Sequence, residues 1–162
     1  MRKVLETRRK AVHAVTVGLF FGYVILLCYF LFLSEGYGRL NEEQGYRYNL
    51  KLFYEIRRFW VYRRTIGWKN VLVNLVGNIA AFVPFGFCLP LLKKEWNRFG
   101  YVTLASLAFS LVVETLQLLW RVGAFDVDDL LLNTMGGVLG LLVFRVLCHI
   151  FCRKGREKHE TI

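Results

Sequence analysis

Residues 71–92 read VLVNLVGNIAAFVPFGFCLPLL, 22 residues without a formal charge. A helix needs roughly 20 such residues to cross the hydrocarbon core of a bilayer. The stretch is too long and too apolar for an ordinary soluble core helix, and three more blocks like it lie on either side. Residues 13–33 supply 21, residues 99–120 supply 22 broken by Glu114 and Gln117, and residues 130–152 supply 23 broken by Asn133 and, near the end, Arg145. The chain therefore reads as an all-α, polytopic membrane protein with four transmembrane helices. The block at 13–33 follows a basic start, as a signal peptide would. Ser34-Glu35-Gly36 is a poor cleavage site, however, so the block is expected to remain as the first span.

The net charge of +10 would suit a nucleic-acid partner, but its placement argues otherwise. Arg2, Lys3, Arg8, Arg9 and Lys10 precede the first span; Lys93, Lys94 and Arg98 separate the second from the third; Arg153, Lys154, Arg156 and Lys158 follow the last. Basic residues at the flanks of apolar blocks point to the bilayer and its anionic lipids as partners, and no nucleic acid is expected. By the positive-inside rule, residues 1–12 and the tail 153–162 face the cytoplasm, and the cell membrane is the expected location. The loop before the fourth span, with Arg121 beside three aspartates, then faces outward, and so does the connection 34–70. That connection carries eight Lys and Arg, and long translocated segments follow the rule less strictly.

Within it, residues 49–64 read NLKLFYEIRRFWVYRR. Leu52, Phe53, Ile56, Phe59 and Trp60 recur at helical spacing, which predicts an amphipathic segment lying in the membrane interface. Arg57, Arg58, Arg63 and Arg64 would sit at phosphate level, as an anchor or as forks on a lipid phosphate.

Polar groups at membrane depth are the candidates for function, because each is costly there. Asn74 and Asn78 share a face of the second span, whose Pro84 and Pro90 predict a kink or a break. Ser106, Ser110, Glu114, Gln117 and Arg121 follow at steps of four, four, three and four, forming one polar stripe. Asp126, Asp129 and Asn133 lie three and four apart on a face that continues to Gly136 and Gly140. The aspartates can cap the fourth helix, and Gly-x-x-x-Gly is a close-packing motif between membrane helices. The expected functional cluster is Asn74, Asn78, Glu114, Gln117, Arg121, Asp126, Asp129 and Asn133. Structural roles compete with it: asparagines as interhelical glue, and Arg121 as the partner of Glu114.

No metal or other cofactor is expected. Cys28 and Cys88 lie in apolar blocks, and Cys148, His149 and Cys152 fall within about one helical turn, too little for a complete zinc site. The cysteine spacing suggests no disulfide framework.

Taken together, these residues resemble the VanZ family of membrane proteins, named for a protein associated with teicoplanin and other glycopeptide resistance. The resemblance begins near Asn49 and runs through Asn74, Asn78, Phe82, Pro84, Gly86 and Pro90. It continues with Ser110, Glu114, Gln117 and Arg121, then Asp126, Asp129, Asn133, Gly136 and Gly140. The family often has a Pro-Phe pair where this chain has Leu52-Phe53. The resemblance implies a bacterial, Gram-positive cell envelope and reduced susceptibility to glycopeptides and lipoglycopeptides, without an established reaction. The leading expectation is a non-catalytic, outward-facing polar site acting on a lipid-linked cell-wall precursor or on the glycopeptide itself. An intramembrane acid/base enzyme using Glu114 with Asp126 or Asp129 is the alternative, although His13, His149 and His159 lie on the far side and no nucleophile–base pair stands out. A small proton-coupled transporter is a further alternative, and it would need an oligomer.

Overall fold

A computed structural model describes residues 2–33 and 46–160, and the side chains of all of these except 2–5, 8, 9, 33 and 152–160. Ser34-Glu35-Gly36 lies outside the described residues. So do the side chains of Arg2, Lys3, Arg8 and Arg9 and those of Cys152, Arg153, Lys154, Arg156 and Lys158 in the tail. In chain order come helix α1 (Arg2–Leu33), strand β1 (Tyr48–Asn49), helices α2 (Tyr54–Val61), α3 (Arg63–Ile66) and α4 (Trp68–Leu92), and a 3-10 turn at Lys94–Trp96. Helix α5 (Phe99–Leu119), strand β2 (Phe125–Asp126) and helix α6 (Val127–Glu160) follow.

The stretches Lys10–Phe32, Trp68–Leu92, Phe99–Leu119 and Val127–Phe151 are each long and apolar enough to cross a bilayer. Their outer sides stay apolar and uncovered, as at Leu19, Ile25, Leu104 and Phe151. Lipid tails take the place of a protein partner there. The fourth helix starts three residues before the expected Leu130, with Asp128 and Asp129 in its first turn, where carboxylates complement the positive end of the helix.

Helices α4 and α6 form the tightest pair. A side chain added at Gly86 would strike the backbone of Gly137, and one added at Gly136 or Gly140 would strike the carbonyl of Ile79 or Val83. With little hydrophobic drive between helices in lipid, such backbone proximity supplies the dispersion contact that holds them. Helix α5 packs on α6 from the other side. Phe85, Leu89, Val102 and Leu141 form the buried cluster where they meet, with Phe109 stacked on Phe85 at 4.9 Å. Helix α1 is the most loosely held; it touches the bundle through Phe20, Tyr23 and Leu27.

Three local expectations change. The expected break at Pro84 does not occur: α4 runs through Pro84 and Pro90 without interruption. Membrane helices tolerate proline where neighbouring groups satisfy the disturbed backbone. The Tyr23 hydroxyl of α1 donates to the Ala81 carbonyl at 2.5 Å; the carbonyl that Pro84 leaves without its donor is that of Ala80, so this bond ties α1 to α4 and does not replace the missing one. Residues 49–64 do not form one helix either. Asn49 lies in β1, Phe53 takes a left-handed φ of 62°, and the helix stops at Val61. The Trp60 carbonyl, which a continuing helix would offer to Arg64, accepts the Arg63 guanidinium at 2.7 Å instead. Gly67, at φ 87°, then turns the chain into α4, a conformation that suits glycine.

The polar stripe of α5 also ends before Arg121. Arg121 stands at φ 56° just past the helix, and Val122 N–H donates to the Gln117 carbonyl at 3.1 Å while Arg121 N–H donates to Leu118 at 3.1 Å. This is a Schellman closure, in which the left-handed residue reverses the chain. Helical spacing no longer applies at Arg121. Its guanidinium lies over the Tyr46 ring at 4.9 Å rather than beside Glu114.

Candidate functional site

Because the four long helices alternate in direction, the end of α1, the start of α4, the end of α5 and the start of α6 lie together. The connection 46–67 crosses this end of the bundle. β1 pairs in parallel with β2, Tyr48 opposite Phe125 and Asn49 opposite Asp126. Between the connection and the helix ends opens a cleft of about 470 Å³. Of the expected cluster, Asn74 and Asn78 of α4, Glu114 and Gln117 of α5, Asp126 of β2, and Asp129 and Asn133 of α6 all line it. Arg121 is set outside by its left-handed turn. Of the four interfacial arginines only Arg58 reaches the cleft, and it pairs with Glu55 at 2.7 Å. Arg63 is held by the Trp60 and Trp68 rings, and Arg57 and Arg64 are on the outside.

Most of the lining side chains are hydrogen-bonded within the protein, in separate pairs. Asp126 N–H donates to Glu114 Oε2 at 3.1 Å, Asn78 Nδ2 donates to Asp129 Oδ1, and Asn133 Nδ2 donates to Ser110 Oγ at 2.9 Å. Gln117 Nε2 reaches the Leu31 carbonyl at 3.0 Å, tying the end of α1 to the site. Glu114 is 3% exposed and Asn133 is 4% exposed. At the depth of a span these groups would each carry a desolvation cost; bonding to one another offsets part of it.

Sequence reasoning missed Asp128. On a helix it falls off the Asp126–Asp129–Asn133 face, which leaves it only the capping role open to all three aspartates. The structure places its carboxylate, 1% exposed, under the start of α2. There Oδ1 accepts Phe53 N–H at 2.5 Å, and Oδ2 accepts Glu55 N–H at 2.9 Å and Ile56 N–H at 3.2 Å. The first amides of a helix have no partner within it. Helix α2 has no side-chain cap of its own, and a carboxylate 75 residues away in the chain supplies one. Asn49 was noted only for its resemblance to the family. It bridges the Lys51 carbonyl and Asp126 Oδ1, at 3.3 and 3.1 Å, and so fastens the connection to β2.

Outside the spans, burial pushes two carboxyls above their ordinary range. Asp126 rises chiefly by burial, with the neighbouring Asp128 charge adding to it. The Asp128 N–H, the Asn49 amide and Arg58 pull it back. Glu55 rises chiefly by burial as well; Arg58 lowers it, and Asp126 and Asp128 raise it.

The amides of α4, the Glu-x-x-Gln of α5 and the Asp-x-x-Asp-x-x-x-Asn of β2 and α6 thus meet in one cleft, in the order in which the sequence carries them. The model of the VanZ/LLP1 family matches residues 20–149. The chain belongs to that family. The matched range takes in every element of the cleft. Among curated relatives, protein VanZ of Enterococcus faecium is 36% identical over 74 residues. That stretch is 44% of this chain and 44% of the relative, so the chain spans less than half of that VanZ protein's length. No solved structure matches the chain.

Proposed function

We propose that this VanZ-family chain is a multi-pass protein of a bacterial cell membrane. In this reading its cleft opens on the outer face and lowers susceptibility to glycopeptide antibiotics by binding the polar headgroup of a lipid-linked cell-wall component, or the drug itself. One observation carries the reading. Side chains that each cost about 2.5–3.5 kcal/mol or less at mid-membrane are drawn from α4, α5 and α6 into one cleft at a single end of the bundle, where a headgroup could meet them. The basic flanks support a cytoplasmic side for both termini and the loop 93–98, and with it an outward cleft.

The test is to express Glu114→Gln, Asp126→Asn, Asp129→Asn and Asn133→Ala in a susceptible host and measure membrane abundance and teicoplanin susceptibility together. Loss of protection at unchanged abundance is expected. Full protection by all four variants at normal abundance would remove the cleft from the mechanism.

A second reading, an acid/base enzyme on the same class of substrate, draws support from Glu114 and Asp129 lining a common cleft beside Asp126. Turnover of a lipid-linked precursor by purified protein, abolished in Glu114→Gln, would favour it over simple binding. The transporter reading has less behind it. A path from the cleft to the opposite end would have to pass the Phe85, Leu89, Val102 and Leu141 cluster.

A further inference from the structure

We infer that the cleft takes a headgroup in which a primary ammonium group stands beside a phosphate, with the ammonium against Glu114, Asp126 and Asp129 and the phosphate against Arg47 and Arg58. The inference rests on the headgroup reading above and narrows its chemistry. It follows from which hydrogen-bonding atoms the protein has already used.

Each of the three carboxylates has one oxygen engaged: Glu114 Oε2 by the Asp126 N–H, Asp126 Oδ1 by Asn49 and by the Asp128 N–H, and Asp129 Oδ1 by Asn78. Among the described residues nothing donates to Glu114 Oε1, Asp126 Oδ2 or Asp129 Oδ2. The amides continue the pattern. The nitrogens of Asn78, Gln117 and Asn133 already donate to protein acceptors, and their oxygens receive nothing. The orientation of the first two amides is fixed by chemistry, since a carboxylate and a backbone carbonyl only accept. Glu114 and Asn133, although almost fully buried, line the cleft with these free oxygens. By contrast, the sealed and unpartnered side-chain oxygen among the described residues is Ser106 Oγ, away from the cleft. Asn74 also lines the cleft, with an amide that can both donate and accept; the free oxygens of the other six side chains make acceptors the larger share and favour a donor.

Charge makes the same demand. Salt bridges among the described residues are confined to Arg58–Glu55 and Lys93–Glu95, so none of the three inner carboxylates has a protein cation as partner. Arg58 lies near enough to act on Asp126 but is engaged by Glu55. A buried carboxylate without a cation is costly, and a bound cation or a proton relieves it. Among the described residues no three His, Cys, Asp or Glu side chains are grouped to hold a metal ion, and an organic ammonium is the cation inferred here. A primary ammonium brings three donors, which matches in number the three free carboxylate oxygens. At the mouth the sign reverses. Arg47 and Arg58 are both exposed and both line the cleft, and guanidinium forks suit phosphate oxygens. The adjoining Tyr54, which also lines the cleft, is exposed, as an interfacial segment beside an amphiphile would be.

The experiment uses the purified full-length chain in mild detergent and reads lipid retention by native mass spectrometry. The probes are dioleoyl phosphatidylethanolamine, its N-acetyl derivative, dioleoyl phosphatidylcholine and dioleoylglycerol. The ethanolamine lipid is expected to be retained at least about tenfold over its N-acetyl and choline counterparts, the factor that one charge-assisted hydrogen bond supplies. Asp129→Asn and Glu114→Gln should erase that preference. The probe series on the unaltered chain decides the matter even if those variants fold poorly. Displacement by free O-phosphoethanolamine would assign the preference to the headgroup chemistry alone, and resistance to it would assign the preference to the intact lipid; both support the inference. Equal retention of the ethanolamine lipid and its N-acetyl form, with both above dioleoylglycerol, overturns the ammonium assignment and leaves the headgroup reading standing. Retention of no phospholipid above dioleoylglycerol overturns the inference as a whole, while the headgroup reading stands or falls with the susceptibility of the cleft variants.

Discussion

Asp128→Ala should release the start of α2 from the bundle while leaving the spans intact. The native carboxylate accepts three backbone amides, from Phe53, Glu55 and Ile56. Hydrogen bonds to a charged group contribute about 1.5–3 kcal/mol each. Phe53 and Tyr54 are exposed, so water regains part of this once the carboxylate is gone. A net local cost of roughly 2–4 kcal/mol remains. Helix α2 buries no side chain of its own, so nothing apolar compensates. At about 1.4 kcal/mol per tenfold, amide exchange at residues 53–56 should accelerate between about thirtyfold and about seven-hundredfold. Asp128→Asn should fall between. Its amide nitrogen has to replace either Oδ1, facing Phe53 N–H, or Oδ2, facing the other two donors. The assay is hydrogen exchange of the reconstituted protein, with amides in the middle of α5 as the internal standard. Unchanged exchange at 53–56 in Asp128→Ala, with α5 protected as before, would refute the idea that this carboxylate caps α2. Loss of protection throughout would instead make Asp128 a determinant of the whole fold.

Gly86→Ala and Gly140→Ala place a methyl group against opposing backbone and should each cost about 1–3 kcal/mol, seen as lower membrane abundance and a lower melting temperature in detergent. Gly77→Ala meets nothing within 4 Å and should be neutral or stabilising by up to about 1 kcal/mol. Arg121→Gly relieves a left-handed backbone at about 1–2 kcal/mol while giving up a cation–π contact of about 0.5–1 kcal/mol. Its abundance and teicoplanin phenotype should therefore match those of the unaltered chain, and a lost phenotype would return Arg121 to the site. Asp126 and Glu55 have raised folded-state pKa values, so the native state binds more protons than the unfolded one above their ordinary values of 3.8 and 4.5. Stability contributed by these two groups should rise as pH falls from neutrality toward their ordinary values and level off below them. A melting temperature that falls over that interval would contradict the sign.

The four spans were legible because they depend on composition over a length that the bilayer imposes. Every backbone group in hydrocarbon has to be satisfied within the segment, so an apolar run of sufficient length can form little besides a helix. The helical spacing of Ser110, Glu114 and Gln117, and of Asp129 and Asn133, could be read for the same reason: inside a regular helix, sequence distance fixes direction. Legibility stopped where regularity stopped. Arg121 continued the stripe on paper, and a left-handed residue at the helix end turned it away. Residues 49–64 had an amphipathic pattern, yet their course is set by a two-residue bridge to β2 and by Asp128. Pro84 pointed to a kink or a break, and α4 runs on through it. The turn at Arg121 is closed by its own helix end, but the course of residues 48–56 rests on partners more than 70 residues distant in the chain, and no local pattern encodes such a partner. Composition and period set the number, length and polar faces of the helices. Which of those polar groups share a cleft, and which carboxylate holds the strap across it, came from packing, because a hydrogen bond depends on where two atoms end up in space and not on how far apart they are along the chain.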